Sequence, residues 1–186
     1  MTKPPTRWRA LAAVFAGQCA VLGWMIAERV HLLTTGQEIV LDVVPVDPRD
    51  LFRGDYVRLG YTAERIPRQL FAEPPGHQGA AVYVILAKDS ASKWLPVKAQ
   101  EMKPATLAKD EIAVRGKIRW PDDRAGVVNV DFGIGSYFVP EGDGLKIESD
   151  VAKHQVQVRV SVNGDGKAAI KGLLVGGTSA YTEPLL

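Results

Sequence analysis

The most chemically crowded stretch of the chain is DPRDLFRGDYVRLGY, at residues 47–61. It alternates acids with arginines and adds two tyrosines, so its side chains could bind an ionic ligand or a polar surface. Helix-end rules give the same residues a structural role, because Asp–Pro is typical of a helix start and Arg–Gly of a helix end. The stretch thus predicts either a capped turn before a strand or a binding surface. The candidate binding residues in it are Asp47, Arg49, Asp50, Arg53, Gly54, Asp55, Tyr56, Leu59 and Tyr61.

A second polar candidate is SYFVPEGDG, at residues 136–144. Its two aromatic residues, Tyr137 and Phe138, would point to opposite faces of a strand that Pro140 ends. Glu141 then begins an acidic, glycine-rich loop. The segment predicts a lid over a sheet edge or an aromatic–acidic contact surface, and Tyr137 and Glu141 join the candidate binding residues.

The sequence gives little support for covalent catalysis. SASK, at residues 90–93, fits Ser-x-x-Lys, but it follows a predicted strand and lacks the Lys-Thr-Gly element that accompanies this nucleophile, so a hairpin loop is the better interpretation. A signal-peptidase-like β fold would need a serine just before the Gly–Asp turn, where the sequence is PVDPRD. Lys98 could imitate the base of such an enzyme but would have nothing to activate.

Acid–base and cofactor chemistry are also weakly indicated. The carboxylates that could pair for glycan cleavage have no spacing that sets two of them across a bond; they are Asp55, Glu141, Asp143, Glu148 and Glu183. The histidines stand singly, at His31, His77 and His154. With no metal-ligand pair and no glycine-rich strand–helix turn, the sequence predicts neither a metal nor a cofactor.

The N-terminal segment determines where any of these side chains could act. Residues 10–27, ALAAVFAGQCAVLGWMIA, carry no charge, and as a helix they would span about 27 Å, close to the hydrocarbon thickness of a bilayer. Trp8 and Trp24 lie near the two ends, where aromatic side chains favour the membrane interface. A cleaved signal peptide, a lipoprotein at Cys19 and a buried soluble helix are the alternatives; an uncleaved anchor is the best interpretation.

Charge predicts the orientation of that anchor. Lys3, Arg7 and Arg9 precede it, so the positive-inside rule predicts a cytoplasmic segment at 1–9, a transmembrane anchor at 10–30 and an extracytoplasmic domain at 37–186 of an inner-membrane protein. The net charge of the chain is only +2 and no basic patch stands out, which argues against nucleic acid as a partner. The lipid bilayer, contacted through residues 10–30, is the first predicted partner.

Beyond residue 36 the periodicity becomes that of strands. HQVQVRVSV, at 154–162, places alternate valines on one face, and NGDG then predicts a turn into KAAIKGLLV. Similar runs separated by Pro and Gly clusters predict a mainly β domain, an antiparallel sandwich or a partly closed barrel. The other predicted strands are 38–46, 56–61, 80–88, 94–100, 111–120 and 126–132.

The motif GDYVRLGY, at 54–61, fits Gly-Asp-Tyr-x-x-Leu-x-Tyr at Gly54, Asp55, Tyr56, Leu59 and Tyr61. In this the chain resembles the bacterial GDYxxLxY family, and the resemblance extends to VDPRDLFRGDY, YFVPEGDG and the C-terminal YTEPLL. It implies a membrane-anchored protein whose motif domain lies outside the inner membrane, from a family whose members are often encoded beside, or fused to, polytopic membrane proteins. It implies no reaction.

Together these features predict a non-catalytic binding or accessory module that partners a polytopic inner-membrane protein. The candidate residues would hold a rigid polar turn as its contact surface. The alternative is an envelope hydrolase, signal-peptidase-like or glycan-acting, either intact or degenerate.

Overall fold

The computed structural model describes residues 6–44, 56–122, 126–138 and 156–182. One N-terminal apolar helix is followed by two antiparallel sheets in a sandwich-like arrangement, which over these ranges does not close into a barrel. The predicted mainly β sandwich after one helix is therefore confirmed. The predicted turn at 47–54 and the loop that begins at Glu141 lie outside the described residues.

Helix α1 extends over Thr6–Thr35, beyond both ends of the predicted 10–30 segment. Residues Trp8–Thr35 are long and apolar enough to cross a membrane, with a mean hydropathy of 1.8, and none of the most apolar window is buried against the rest of the chain. Continuous apolar composition with few helix breakers explains why the segment is helical. The side chains of residues 8–29 are exposed on all sides of the helix.

Twelve strands follow α1 in the described ranges, with 3-10 turns at Thr62–Glu64 and Arg68–Leu70. The strands are β1 Gln37–Val44, β2 Tyr56–Arg58, β3 Gly60–Tyr61, β4 Arg65–Pro67, β5 Ala81–Lys88, β6 Trp94–Gln100, β7 Glu111–Asp122, β8 Val127–Asp131, β9 Ser136–Phe138, β10 Val156–Val162, β11 Ala168–Val175 and β12 Thr178–Thr182.

The two main sheets have the orders β12-β11-β10-β1-β3 and β4-β8-β7-β5-β6, and β2 pairs with β9 in a separate ladder. The alternate valines of β10 are all buried, which confirms the predicted inner face. The predicted hairpin into β11 is also confirmed; its turn is closed by Asn163 Oδ1, which accepts from the N–H groups of Asp165 and Lys167. Apolar side chains of both sheets meet in one core.

The predicted single strand at 56–61 is interrupted at Leu59. Leu59 donates its N–H to the carbonyl of Gly135 at 3.0 Å, in the loop after β8. On either side of it β2 pairs with β9, whereas β3 pairs with the end of β1. The interruption lets one short segment join two different ladders.

The C-terminal turn of α1 is packed into the first sheet. Leu32 and Leu33 are buried with Ala169 of β11. Ser161 lies on the polar face of β10 by alternation but is fully buried, because the end of α1 packs over it, and its hydroxyl donates to the Leu32 carbonyl at 2.6 Å. At Gly36 a Cβ would lie 2.2 Å from the Ser161 oxygen, so only glycine fits there without displacing a neighbour. The helix and the β domain are thus joined tightly.

Candidate functional site

A cleft of about 540 Å³ opens beside the second half of the GDYxxLxY sequence. We call it the motif cleft. It is lined by Val44, Arg58, Leu59, Gly60, Tyr61, Glu64, Arg65, Arg119, Asn129, Val130, Asp131, Gly133, Gly135 and Ser136.

The wall of the motif cleft is fixed by hydrogen bonds between the segment after β2 and the loop after β8. Besides the bond from Leu59 to Gly135, the buried Tyr61 hydroxyl donates to the Ile134 carbonyl at 2.7 Å. Leu59 and Tyr61 both have their side chains in the core, and Tyr61 is only 1% exposed. Burial, together with the charge of Glu64, raises the pKa of the Tyr61 hydroxyl well above its ordinary value. These two residues therefore support the cleft from behind.

Glu64 is a partly buried carboxylic acid in the motif cleft. Its Oε1 accepts the N–H of Phe132 at 3.2 Å. Burial raises the pKa of Glu64 from 4.5 to about 7; the charge of Asp131 adds to the rise, while hydrogen bonds and Arg119 oppose it. Near neutral pH the group is thus divided between its acid and carboxylate forms.

Asp131 lies beside Glu64 and is held in its charged form. The pairing of β7 with β8 has a bulge between Ile118 and Trp120, and Arg119 in this bulge donates from Nη2 to Asp131 Oδ2 at 2.8 Å. Burial alone would raise the pKa of Asp131. The hydrogen bonds from Arg119 and from the Gly133 N–H, with nearby positive charge, outweigh burial and keep this pKa below its ordinary value.

Two further cations line the motif cleft. Arg58, in β2, and Arg65, in β4, are exposed, and within the described residues neither has an ion-pair partner. With Arg119 they give the cleft three guanidinium groups against one ionised carboxylate and one carboxyl that titrates near neutrality. The arrangement can bind an anionic group, because guanidinium pairs readily with carboxylate or phosphate.

Comparison with known protein families matches residues 18–173 to the family described as GDYXXLXY protein. This chain belongs to the GDYXXLXY protein family. The resemblance drawn from its motif is thereby confirmed. Searches of curated proteins and of solved structures found no match.

The described parts of the two polar stretches chosen from the sequence, residues 56–58 and 136–138, are neighbours in this GDYXXLXY protein. β2 and β9 pair with Tyr56 opposite Phe138 and Val57 opposite Tyr137. Tyr137 is buried, so its ring supports this ladder from inside rather than presenting an aromatic contact surface. The other candidates, which fall outside the described residues, are Asp47, Arg49, Asp50, Arg53, Gly54, Asp55 and Glu141.

Sequence reasoning missed the charged residues of the motif cleft, namely Glu64, Arg65, Arg119 and Asp131. Strand alternation gives one signal: Asp131 falls on the polar face of β8, between the buried Val130 and Phe132. The burial of Glu64 has no such signal, since it arises from a 3-10 turn that only the tertiary structure covers.

The nominal nucleophile motif is a hairpin loop, as predicted. SASK connects β5 to β6, where Asp89 Oδ1 accepts the N–H groups of Ala91 and Lys93. Lys93 forms an ion pair with Asp42 of β1 at 2.8 Å. Lys98 is exposed on β6 and does not line the motif cleft. Across the described ranges, no three His, Cys, Asp or Glu residues are grouped as metal ligands would be.

Proposed function

We propose that this chain is a single-pass, membrane-anchored binding module, with its N-terminus in the cytoplasm and its β domain outside the inner membrane. Its partner is a polytopic membrane protein. The observation that carries the proposal is the contrast within α1, which is uncovered over its apolar length and yet packed into the sheet at Leu32 and Leu33. An exposed apolar helix of this kind needs lipid around it. The packing of its C-terminal turn against the sheet then holds the β domain near the membrane surface.

The motif cleft is the recognition surface in this proposal. Arg58 and Arg65 are exposed in its lining, and β2 directly follows residues 47–55 in the chain, which the sequence marked as polar. An acidic loop of the membrane partner would pair with these guanidinium groups. Leu59 and Tyr61 of the motif have a supporting role, because their buried side chains lie behind the cleft wall and fix its position.

Affinity capture tests this surface. The tagged full chain, solubilised from membranes in mild detergent, is expected to recover one polytopic protein, identified by mass spectrometry. The double variant Arg58→Glu with Arg65→Glu should recover at least tenfold less of that protein. Lys98→Glu, which reverses an exposed charge outside the cleft, should retain it. Equal recovery with both variants would remove the motif cleft from the interface.

Reporter fusion tests the topology. Alkaline phosphatase fused after Leu186 folds actively only outside the cytoplasm, so the fusion is expected to be active, and a fluorescent reporter that needs the cytosol is expected to be dark. The opposite pattern would refute the extracytoplasmic location. Alkaline extraction of membranes should leave the chain in the pellet.

A second candidate function is a glycan-acting envelope hydrolase. It is favoured by Glu64 and Asp131, whose pKa values are displaced in opposite directions within one cleft, as in many acid–base pairs. Incubation with peptidoglycan fragments tests it. Release of new reducing ends that Glu64→Gln abolishes would support an enzyme, and no release by the folded wild type would favour the binding module.

A further inference from the structure

One part of the β domain lies beside the point at which α1 would leave the hydrocarbon, and an ion pair identifies it. Residues 10–27 are uncharged, and Glu28 is the first charged residue after them. The Glu28 carboxylate forms an ion pair with Lys167, in the turn between β10 and β11. The tip of this hairpin therefore lies at the depth where the helix meets the headgroups. This step rests on the proposed membrane anchor.

A second loop lies at the same level. Lys103, in the loop 101–110 between β6 and β7, donates to Asp165 of the hairpin tip at 2.9 Å. The same loop and the last turns of α1 line a cleft of about 530 Å³, to which Leu107, His31 and Thr35 all contribute. Glu28 and Leu32 are about 6 Å apart along the helix axis, comparable with the thickness of a headgroup layer. Loop 101–110 is thereby brought to the membrane surface.

The side chains of loop 101–110 suit this position. Met102 is 79% exposed and Leu107 is 42% exposed, although both are large apolar residues. The loop EMKPATLAKD has equal numbers of acidic and basic residues, so its apolar side chains rather than its net charge would supply the attraction. Leu and Met side chains that enter the interface gain free energy from burial, while the lysine stems can extend beside them.

We propose that loop 101–110 is a membrane-contacting loop, whose Met102 and Leu107 insert into the headgroup–acyl boundary of the bilayer that α1 spans. The loop and the helix then hold the β domain at two points. This fixes the orientation of the domain, and with it the direction in which the motif cleft faces. Because the loop is neutral overall, a neutral phosphatidylcholine bilayer is enough for the contact.

Spin labels measure this insertion in the full chain. Cys19→Ala provides the background, and single cysteines replace Met102, Leu107, Leu95 and Leu22. Leu95 is the matched control: it is an exposed leucine, 36% exposed, at the start of β6 and about 16 Å along the strand from the end that joins the loop. Leu22 reports on the helix itself. The nitroxides are read in phosphatidylcholine nanodiscs by collision with oxygen and with a water-soluble nickel chelate.

Labels at 102 and 107 are expected to be at least threefold less accessible to the nickel chelate than the label at 95, with oxygen accessibility raised. Labels at 102 and 107 that match position 95 would overturn the membrane-contacting loop, while a lipid-exposed label at 22 would leave the anchor standing. An aqueous label at 22 would refute the anchor and the loop together. Protection of 102 and 107 in native membranes but not in nanodiscs would also overturn lipid contact, in favour of a protein occupant.

A variant pair gives a second measurement. With the label at Ala105, an exposed position in the same loop, Met102→Asp with Leu107→Asp should raise nickel accessibility at least twofold. The control Leu95→Asp should leave it unchanged. No change in the double variant would show that these two side chains do not hold the loop in the bilayer.

Discussion

Helix α1 and strand β10 contain the same kinds of side chain in opposite surroundings. Val14 of the helix is 60% exposed, whereas Val158 of the strand is 0% exposed. Alternation gives β10 one apolar face that another layer can cover, but residues 10–27 of α1 are uncharged all round and no layer of the described chain covers them. The comparison teaches that the protein is built for two solvents, with water around the β domain and, in our proposal, lipid around the helix.

The largest expected effect tests that contrast with one side-chain change in each region. Leu173→Ala, at a fully buried position of β11, should lower the free energy of unfolding by about 2–5 kcal/mol, since it leaves a cavity in the core. Leu22→Ala, at a 59% exposed helix position, should change it by less than about 0.5 kcal/mol. Denaturant unfolding in detergent, followed by tryptophan fluorescence to which the buried Trp94 contributes, measures both.

A large loss with Leu22→Ala would break the comparison, because it would mean that α1 is packed against protein, as in a helical oligomer. A loss below about 1 kcal/mol with Leu173→Ala would mean that the core is loosely packed around β11.

Within the β domain, the pKa values of Glu64 and Asp131 are shifted in opposite directions. This contrast predicts how the free energy of unfolding depends on pH. The pKa of Glu64 is raised from 4.5 to about 7, so between these values the folded state holds a proton that the unfolded state has lost. The contribution of Glu64 to the free energy of unfolding is fully present below pH 4.5, falls as the pH rises and levels off above pH 7. The total change is up to about 3 kcal/mol, from the rise of the pKa from 4.5 to about 7. Glu64→Gln should remove this slope and be more stable than wild type at pH 8.

Asp131 is the matched control for that prediction, with the opposite sign. The pKa of Asp131 lies below the ordinary 3.8. The contribution of Asp131 to the free energy of unfolding is therefore present above pH 3.8 and is lost as the pH falls below 3.8. Asp131→Asn should therefore lower stability at neutral pH and leave most of the slope between pH 4.5 and 7 in place, because burial is the main cause of the raised Glu64 pKa. Stability–pH curves from chemical unfolding distinguish the two, and an unchanged slope in Glu64→Gln would contradict the assignment.

Much of the β domain could be predicted because alternation depends only on local sequence. β6 begins and ends where WLPVKAQ does, and the β10–β11 hairpin follows from its valines and its Asn-Gly-Asp-Gly turn. The break at Leu59 and the burial of Ser161 could not be predicted. Each depends on a hydrogen bond to a segment that is distant in sequence, Gly135 in one case and Leu32 in the other.

The motif cleft was predicted only in part for the same reason. The motif marked Leu59 and Tyr61, but it could not show that β4 pairs with β8 and so brings Glu64 close to Asp131. The bulge that directs Arg119 towards Asp131 also has no sequence signature. Pairing partners and bulges are decided by the whole fold, so a site assembled from four chain segments cannot be predicted by local rules.

A smaller effect sharpens the structural role of the motif tyrosine. Tyr61→Phe removes the hydroxyl that bonds the Ile134 carbonyl at 2.7 Å and leaves this carbonyl buried without that donor, so stability should fall by about 1–2 kcal/mol. Tyr83→Phe is the control, since the Tyr83 hydroxyl has no hydrogen bond within the described part of the chain, and it should cost less than about 0.5 kcal/mol. Equal losses from thermal unfolding of the two variants would refute this role of the Tyr61 hydroxyl.

The smallest effect concerns the junction between the two regions. Ser161→Ala removes the 2.6 Å bond to the Leu32 carbonyl, but this carbonyl still accepts the N–H of Gly36 at 3.2 Å. The loss of stability should therefore be only about 0.5–1 kcal/mol, while amide hydrogen exchange at residues 36–40 should become faster. Ser136→Ala, at an exposed serine, should change neither quantity. If exchange at the junction stays at the wild-type rate in Ser161→Ala, the packing of Leu32 and Leu33 alone holds the helix to the sheet.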